Sequence, residues 1–173
     1  AIERLAGLSI PISSKAVGIA EAAYANESKL TLALQFALET LGYVNFVNGP
    51  DNDYGPTTRD AVARMHASGG GEPVATLTNS EARETICLAA RKGDPVSLYH
   101  LSLMYKNGWG FVEDADKAAA AVSRSETSMI AILGAGDLPK WKADAYQSYA
   151  GKIRTLAQEL KTPGVDTSVE ICD

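Results

Sequence analysis

The stretch GDPVSLYHLSLMYKNGWGFVEDADKAAAAVSRSE, residues 93 to 126, constrains the fold more than any other part of the chain. Asp94 stands where a helix N-cap belongs and Pro95 occupies the first helical position after it, so a helix starts here. Its apolar residues recur at helical spacing up to Asn107-Gly108-Trp109-Gly110-Phe111. The two glycines of that turn tolerate positive φ, which lets the chain reverse without any ligand. Asp114 then caps a second helix. An antiparallel pair of helices around a tight turn satisfies all of these signals, and convincing strand alternation is absent from the chain. The fold class expected is all-α.

The remaining punctuation agrees with that class. From Leu30 the apolar positions Leu34, Ala37, Leu38 and Leu41 share one helical face, with Ser28 as N-cap and Gly42 as the stop, giving a helix over about 29–41. The turn-rich NGPDNDYGP leads into TTRDAVARMHA, where Pro56 precedes a short helix with Ala61, Val62 and Met65 inward, ended by SGGG. Thr78 and Glu81 have the spacing of a capping box, and the helix they open runs to Gly93 with no linker. Trp141, Ala145, Tyr149, Ile153, Leu156 and Leu160 form a stripe on a helix over about 140–161, which KTPG stops. The last twelve residues read as a tail. A further helix is expected from Ser13 or Ser14 to Tyr24, after a break at Pro11.

A chain of 173 residues that is 46% hydrophobic can bury a real core without a metal. Its net charge of −5, from 16 basic and 21 acidic residues with no basic stripe, argues against nucleic acid and anionic membrane surfaces. The longest apolar runs, such as MIAIL at 129 to 133, fall far short of the roughly 20 residues a membrane span needs. The start, AIERLAGLSI, has neither an initiator methionine nor a signal pattern, so the numbering is expected to begin at a processing or expression boundary. Cys87 and Cys172 leave two alternatives. Either they form a disulfide that anchors the tail, or both are unpaired thiols of an intracellular protein.

Reactive groups are sparse. His66 and His100 do not stand in zinc-type spacing with each other or with Cys or Asp, and both are read as structural. His66 lies near a helix end, and His100 takes a position expected to face away from the core. The acidic loop DNDYGPTTRDAV has Val62 where a calcium loop needs a bidentate acid and Pro56 where it needs glycine. GGGEP and GAGDLP do not join a strand to a helix, as phosphate loops do. No Ser, His and acid set is apparent. The chain is therefore read as not an enzyme, with no cofactor and no metal.

Two segments resemble known families. Residues 30 to 86 resemble the small three-helix peptidoglycan-binding-like domain, through ALQFALETLGY, DNDYGPTTRDAV and ATLTNSEARETI. Asn52 stands where that family usually has glycine, and Met65-His66 where it often has Phe-Gln. Residues 93 to 118, in a unit reaching about 125, resemble a Sel-one-like repeat, a relative of the tetratricopeptide repeat. Its positions are matched by Gly93-Asp94, Tyr99, Leu101, Met104-Tyr105, Asn107-Gly108, Gly110, Asp114 and Lys117-Ala118. Ser97 and Ser102 replace a usual Ala and Gly. One repeat is clear.

The resemblances imply an N-terminal helical extension (1–28), a peptidoglycan-binding-like bundle (29–92), a Sel-one-like hairpin (93–126), a C-terminal helical cap (127–161) and a tail (162–173). They imply a non-catalytic adaptor of a bacterial cell envelope, periplasmic, docking a protein partner through the repeat and associating with peptidoglycan. Tyr54, Asp53 and Asn52 are the candidate glycan contacts, although Tyr54 reads first as the plug of a three-helix core. Trp109, at a variable position of its turn, is the candidate partner contact, or else packs on a neighbouring helix. Two rival readings are the accessory region of a larger enzyme, either a cell-wall hydrolase or a caspase-like peptidase, and an intracellular, cytoplasmic protein-binding scaffold.

Overall fold

The computed structural model describes residues 30 to 172, except the side chain of Asn79. The helix expected up to Tyr24 and the cap at Ser28 lie outside the described residues. Among the described residues six helices follow one another, namely α1 Leu30–Thr40, α2 Pro56–Ser68, α3 Asn79–Arg91, α4 Pro95–Asn107, α5 Ala115–Ala135 and α6 Lys140–Glu159. No strand occurs among the described residues, and the fold is all-α.

The helix boundaries come from the capping chemistry read in the sequence. Thr78 Oγ1 accepts the Glu81 N–H at 3.1 Å while Glu81 Oε1 accepts the Thr78 N–H at 3.0 Å, completing the capping box of α3. Asp94 Oδ2 accepts from Ser97 N and Asp114 Oδ1 from Lys117 N, each at 3.0 Å, opening α4 and α5. Gly42, at φ +86°, lets the Tyr43 N–H reach back to Leu38 O and close α1.

The expected division between 126 and 127 falls inside α5, which runs unbroken to Ala135. Hydroxyls explain the extra length. Ser125 Oγ donates to Pro95 O at 2.6 Å and Ser128 Oγ donates to Gly93 O, tying the middle of α5 to the start of α4. Ser125 and Ser128 are therefore anchors along a longer helix.

Helix α1 is buried on nearly every side, because it carries apolar side chains toward three different groups. Leu30, Ala33 and Ala37 join Ile86, Cys87, Leu101 and Tyr105. Leu34 and Leu38 pack with Tyr54, Ala61, Val62 and Leu77. Phe36 turns the third way, toward α6, where the Tyr149 ring meets it edge-on at 5.7 Å. Each large side chain so buried contributes about 1.5–3 kcal/mol, so all three apolar groups depend on this one helix.

The tail beyond α6 is fixed. Cys87 and Cys172 are bonded, with their Cα atoms 5.8 Å apart. Arg124 of α5 donates through Nε to Thr167 O at 2.7 Å, and through Nη2 to Thr167 O and Val169 O.

Candidate protein-binding surface

The loop that carries three of the candidate contacts is built around one buried amide. Gln35 of α1 directs Nε2 at Asp51 Oδ1 (2.9 Å), Asp53 O (3.0 Å) and Thr58 Oγ1 (3.0 Å), while its Oε1 accepts the Asn52 N–H (2.9 Å). The Gln35 hydrogen bond is the main reason the Asp51 carboxyl lies below its usual value. Asn52 adopts φ 64°, a conformation Asn tolerates and glycine prefers, and its Oδ1 caps α1 by accepting the Leu32 N–H at 3.0 Å. Asp53 is exposed.

Tyr54 is 9% exposed, and its hydroxyl donates to Ala75 O at 2.7 Å. Burial pushes its phenol up to about 12, against the opposing pull of Arg59, whose guanidinium lies 5.6 Å from the ring centre. The ring therefore occupies the end of the α1–α2 core.

A scaffold role for Asn52 makes a graded expectation. Asn52→Gly, which keeps the backbone and loses the cap, should destabilise by about 1 kcal/mol, and Asn52→Ala, which adds positive-φ strain, by about 2 kcal/mol. Urea titrations of the pair measure the difference. Equal stability of all three proteins would mean that the cap carries no weight.

The second aromatic turn is arranged differently. Gly108 (φ +69°) and Gly110 (φ +74°) reverse the chain, the Trp109 N–H closes α4 on Met104 O at 2.9 Å, and the Asp114 N–H returns to Tyr105 O at 3.0 Å. Phe111 stacks on Tyr105 with ring centres 4.5 Å apart. Trp109 is half-buried, with part of its surface against the core around Met104 and Tyr105. Tyr54 and Trp109 belong to different apolar groups, so the structure does not join the candidate residues into one site.

A surface groove on α4 is a feature that the sequence did not reveal. Between α4 and α6 runs an open groove of about 560 Å³. Tyr99, Leu103 and Leu156 form its apolar lining, Gly151 leaves it shallow walls, and Lys106, Lys152 and Glu159 stand on its rim. Lys106 and Glu159 form a 2.7 Å ion pair. Leu103 packs against both the groove's apolar group and the group holding Trp109, and Lys106 on the rim directly precedes the turn in sequence. Burial and the Glu159 charge raise the Tyr99 phenol. The signal available in sequence was the i, i+4, i+7 alignment of Tyr99, Leu103 and Lys106, which core packing explained equally well.

His100 corrects the expectation that it faces outward. It is 2% exposed, with Nε2 3.2 Å from the Tyr149 hydroxyl, because α6 lies across this face of α4. Desolvation, aided by Lys152, lowers it to about 3, so the ring is neutral. Asp94 is equally enclosed, accepting from Ser97 and, at 3.3 Å, from the Tyr146 hydroxyl. Its burial raises the carboxyl above the usual range. His66 is held by Glu81 at 3.1 Å and by Val74 O. No protein-family model, curated protein or solved structure matches the chain.

Proposed function

We propose that this chain is a non-catalytic adaptor of a bacterial cell envelope, which receives a protein partner on the α4–α6 groove and the Trp109 turn. The observation that carries the reading is the contrast between its two aromatic turns. The Tyr54 loop spends its polar groups on Gln35, Leu32 and Ala75, whereas Trp109 stays half-buried in the turn that ends α4, the helix whose Tyr99, Leu103 and Lys106 line an open groove with an apolar floor and a charged rim. That combination of an aromatic anchor with a polar rim suits protein docking. The Cys87–Cys172 bond fits an oxidising compartment such as the periplasm. Among the described residues no helix is long and apolar enough to cross a membrane.

Peptidoglycan association follows only from the resemblance of residues 30 to 86. Because Asn52 is engaged by α1 and Asp51 by α1 and its own loop, sedimentation with purified peptidoglycan is expected to be weak or absent. Tight co-sedimentation lost on changing Asp53 or Tyr54 would reverse that view.

The test of the adaptor reading uses Trp109→Ala with a photocrosslinking residue placed at Lys106 or, as a control, at Asp60 on α2. The substitution is expected to weaken the partner by about 1–3 kcal/mol. Loss of its half-buried contacts should lower folding stability by only about 1–2 kcal/mol. A defined periplasmic protein should crosslink at position 106 and not at 60, and the adduct should fade in Trp109→Ala. Equal labelling at both positions, or an adduct indifferent to Trp109, would sink the reading.

A further inference from the structure

The tail lies along the helices as a bound peptide would. Its main chain, rather than its side chains, is what the body grips. Arg124 takes the Thr167 and Val169 carbonyls, Arg91 Nη2 reaches Cys172 O at 3.3 Å, and the Cys172 N–H donates to the Tyr105 hydroxyl at 2.7 Å. Only near its end does the segment bury side chains, with Ile171 at 3% exposure in the core beside Cys172. From Lys161 to Glu170 none is buried. Beside the strap remains an open cleft of about 500 Å³, walled by Ala90, Leu98 and Ala131 together with Arg91, Arg124 and the strap's own Ile171.

We propose that this channel between α3, α4 and α5 is a docking groove for an extended peptide bearing a β-branched aliphatic side chain, filled here in cis by residues 163 to 172 and kept filled by the Cys87–Cys172 bond. The recognition logic is on display in the occupant. Two guanidinium groups and a phenol read carbonyls and an N–H that every peptide carries, and the Ile171 socket selects one side chain. Ordering some ten residues is entropically unfavourable, and a single apolar anchor with a few main-chain hydrogen bonds offsets it only enough for weak binding that a free peptide at high concentration can contest. The covalent link supplies the difference. Its removal frees the strap, the socket and the donors together.

The gating chemistry is a two-electron thiol–disulfide exchange with a protein dithiol. A thiolate of that dithiol attacks Cys172 sulfur, the Cys87 thiolate leaves, and the second thiol of the dithiol displaces Cys172. The partner ends as a disulfide and the chain as two thiols. The strap and its channel involve neither Trp109 nor the α4–α6 groove.

The experiment uses the full chain, oxidised or reduced with dithiothreitol under thiol counting, and the double variant Ile171→Asp, Cys172→Ser, which empties the groove without relying on a reductant. The probe is a labelled synthetic peptide copying residues 163 to 173 with Cys172→Ser. Hydrogen exchange over residues 163 to 172 should accelerate at least a hundredfold on reduction while helicity is retained. The peptide should bind the double variant at least tenfold more tightly than it binds the oxidised chain. A peptide carrying Ile171→Asp should bind at least tenfold more weakly, and adding Arg124→Gln to the protein should weaken binding similarly. A strap still protected after complete reduction, global loss of helicity on reduction, or a released strap with no peptide binding would each overturn the proposal.

Discussion

Lowering the pH from 7 to 3 is expected to destabilise the native state by about 4–5 kcal/mol through His100 alone. Above its ordinary value of 6.5 the ring is neutral in both folded and unfolded chains, so no pH-dependent term exists. Below it, the unfolded chain takes up a proton that the native state refuses until about pH 3, because burial and Lys152 oppose a charge under α6. The unfolded state therefore gains throughout that window, at about 1.4 kcal/mol per pH unit, and stability falls. Asp94 works in the opposite sense, since its raised carboxyl binds a proton in the native state first and offsets part of the loss between its folded value and 3.8. Urea unfolding in pH steps separates them, because His100→Gln should remove the slope between pH 6.5 and the acid limb. An unchanged slope in His100→Gln would show that another group sets the acid sensitivity.

Gln35→Ala is expected to cost about 3–5 kcal/mol, although no surface of Gln35 is seen from outside. Its two amide hydrogens are shared among three acceptors, and its carbonyl serves one backbone donor. Truncation leaves these groups to find water at the edge of a buried site and opens a cavity between α1 and α2. Gln35→Leu, which keeps most of the volume, should recover only the cavity part. A second readout is local. With the amide gone the Asp51 carboxyl should rise toward its ordinary value, visible in an NMR titration. Full stability in Gln35→Ala with an unmoved Asp51 would deny the amide its organising role.

The helices were legible because their ends are written in local chemistry. Thr78, Asp94, Asp114 and Gly42 act within four residues of themselves, and each does what its neighbours require. The stripe of α6 was legible too, since Tyr149, Ile153 and Leu156 are all buried. What escaped depends on distant partners. The burial of His100 is decided by Tyr149, 49 positions away, and the fate of the Asn52 loop by Gln35, 17 positions away. Helical periodicity assigns a residue to a face and says nothing about which helix will lie on it. The groove between α4 and α6 escaped for the same reason, because Tyr99 and Leu103 read as core until α6 is seen to leave a channel beside them.

Helix α1 also sets an order of events during synthesis. It is the first described helix to leave the ribosome, yet Glu39 meets Lys142 only 103 positions later, and Phe36 waits for Trp141 and Tyr149 of the same distant helix. At about 5–20 residues per second, that is roughly 5–20 seconds in which a largely apolar helix has no cover on its α6 face. The nascent chain must be shielded through that interval, by its own early contacts or by a holding chaperone, until the last helix arrives.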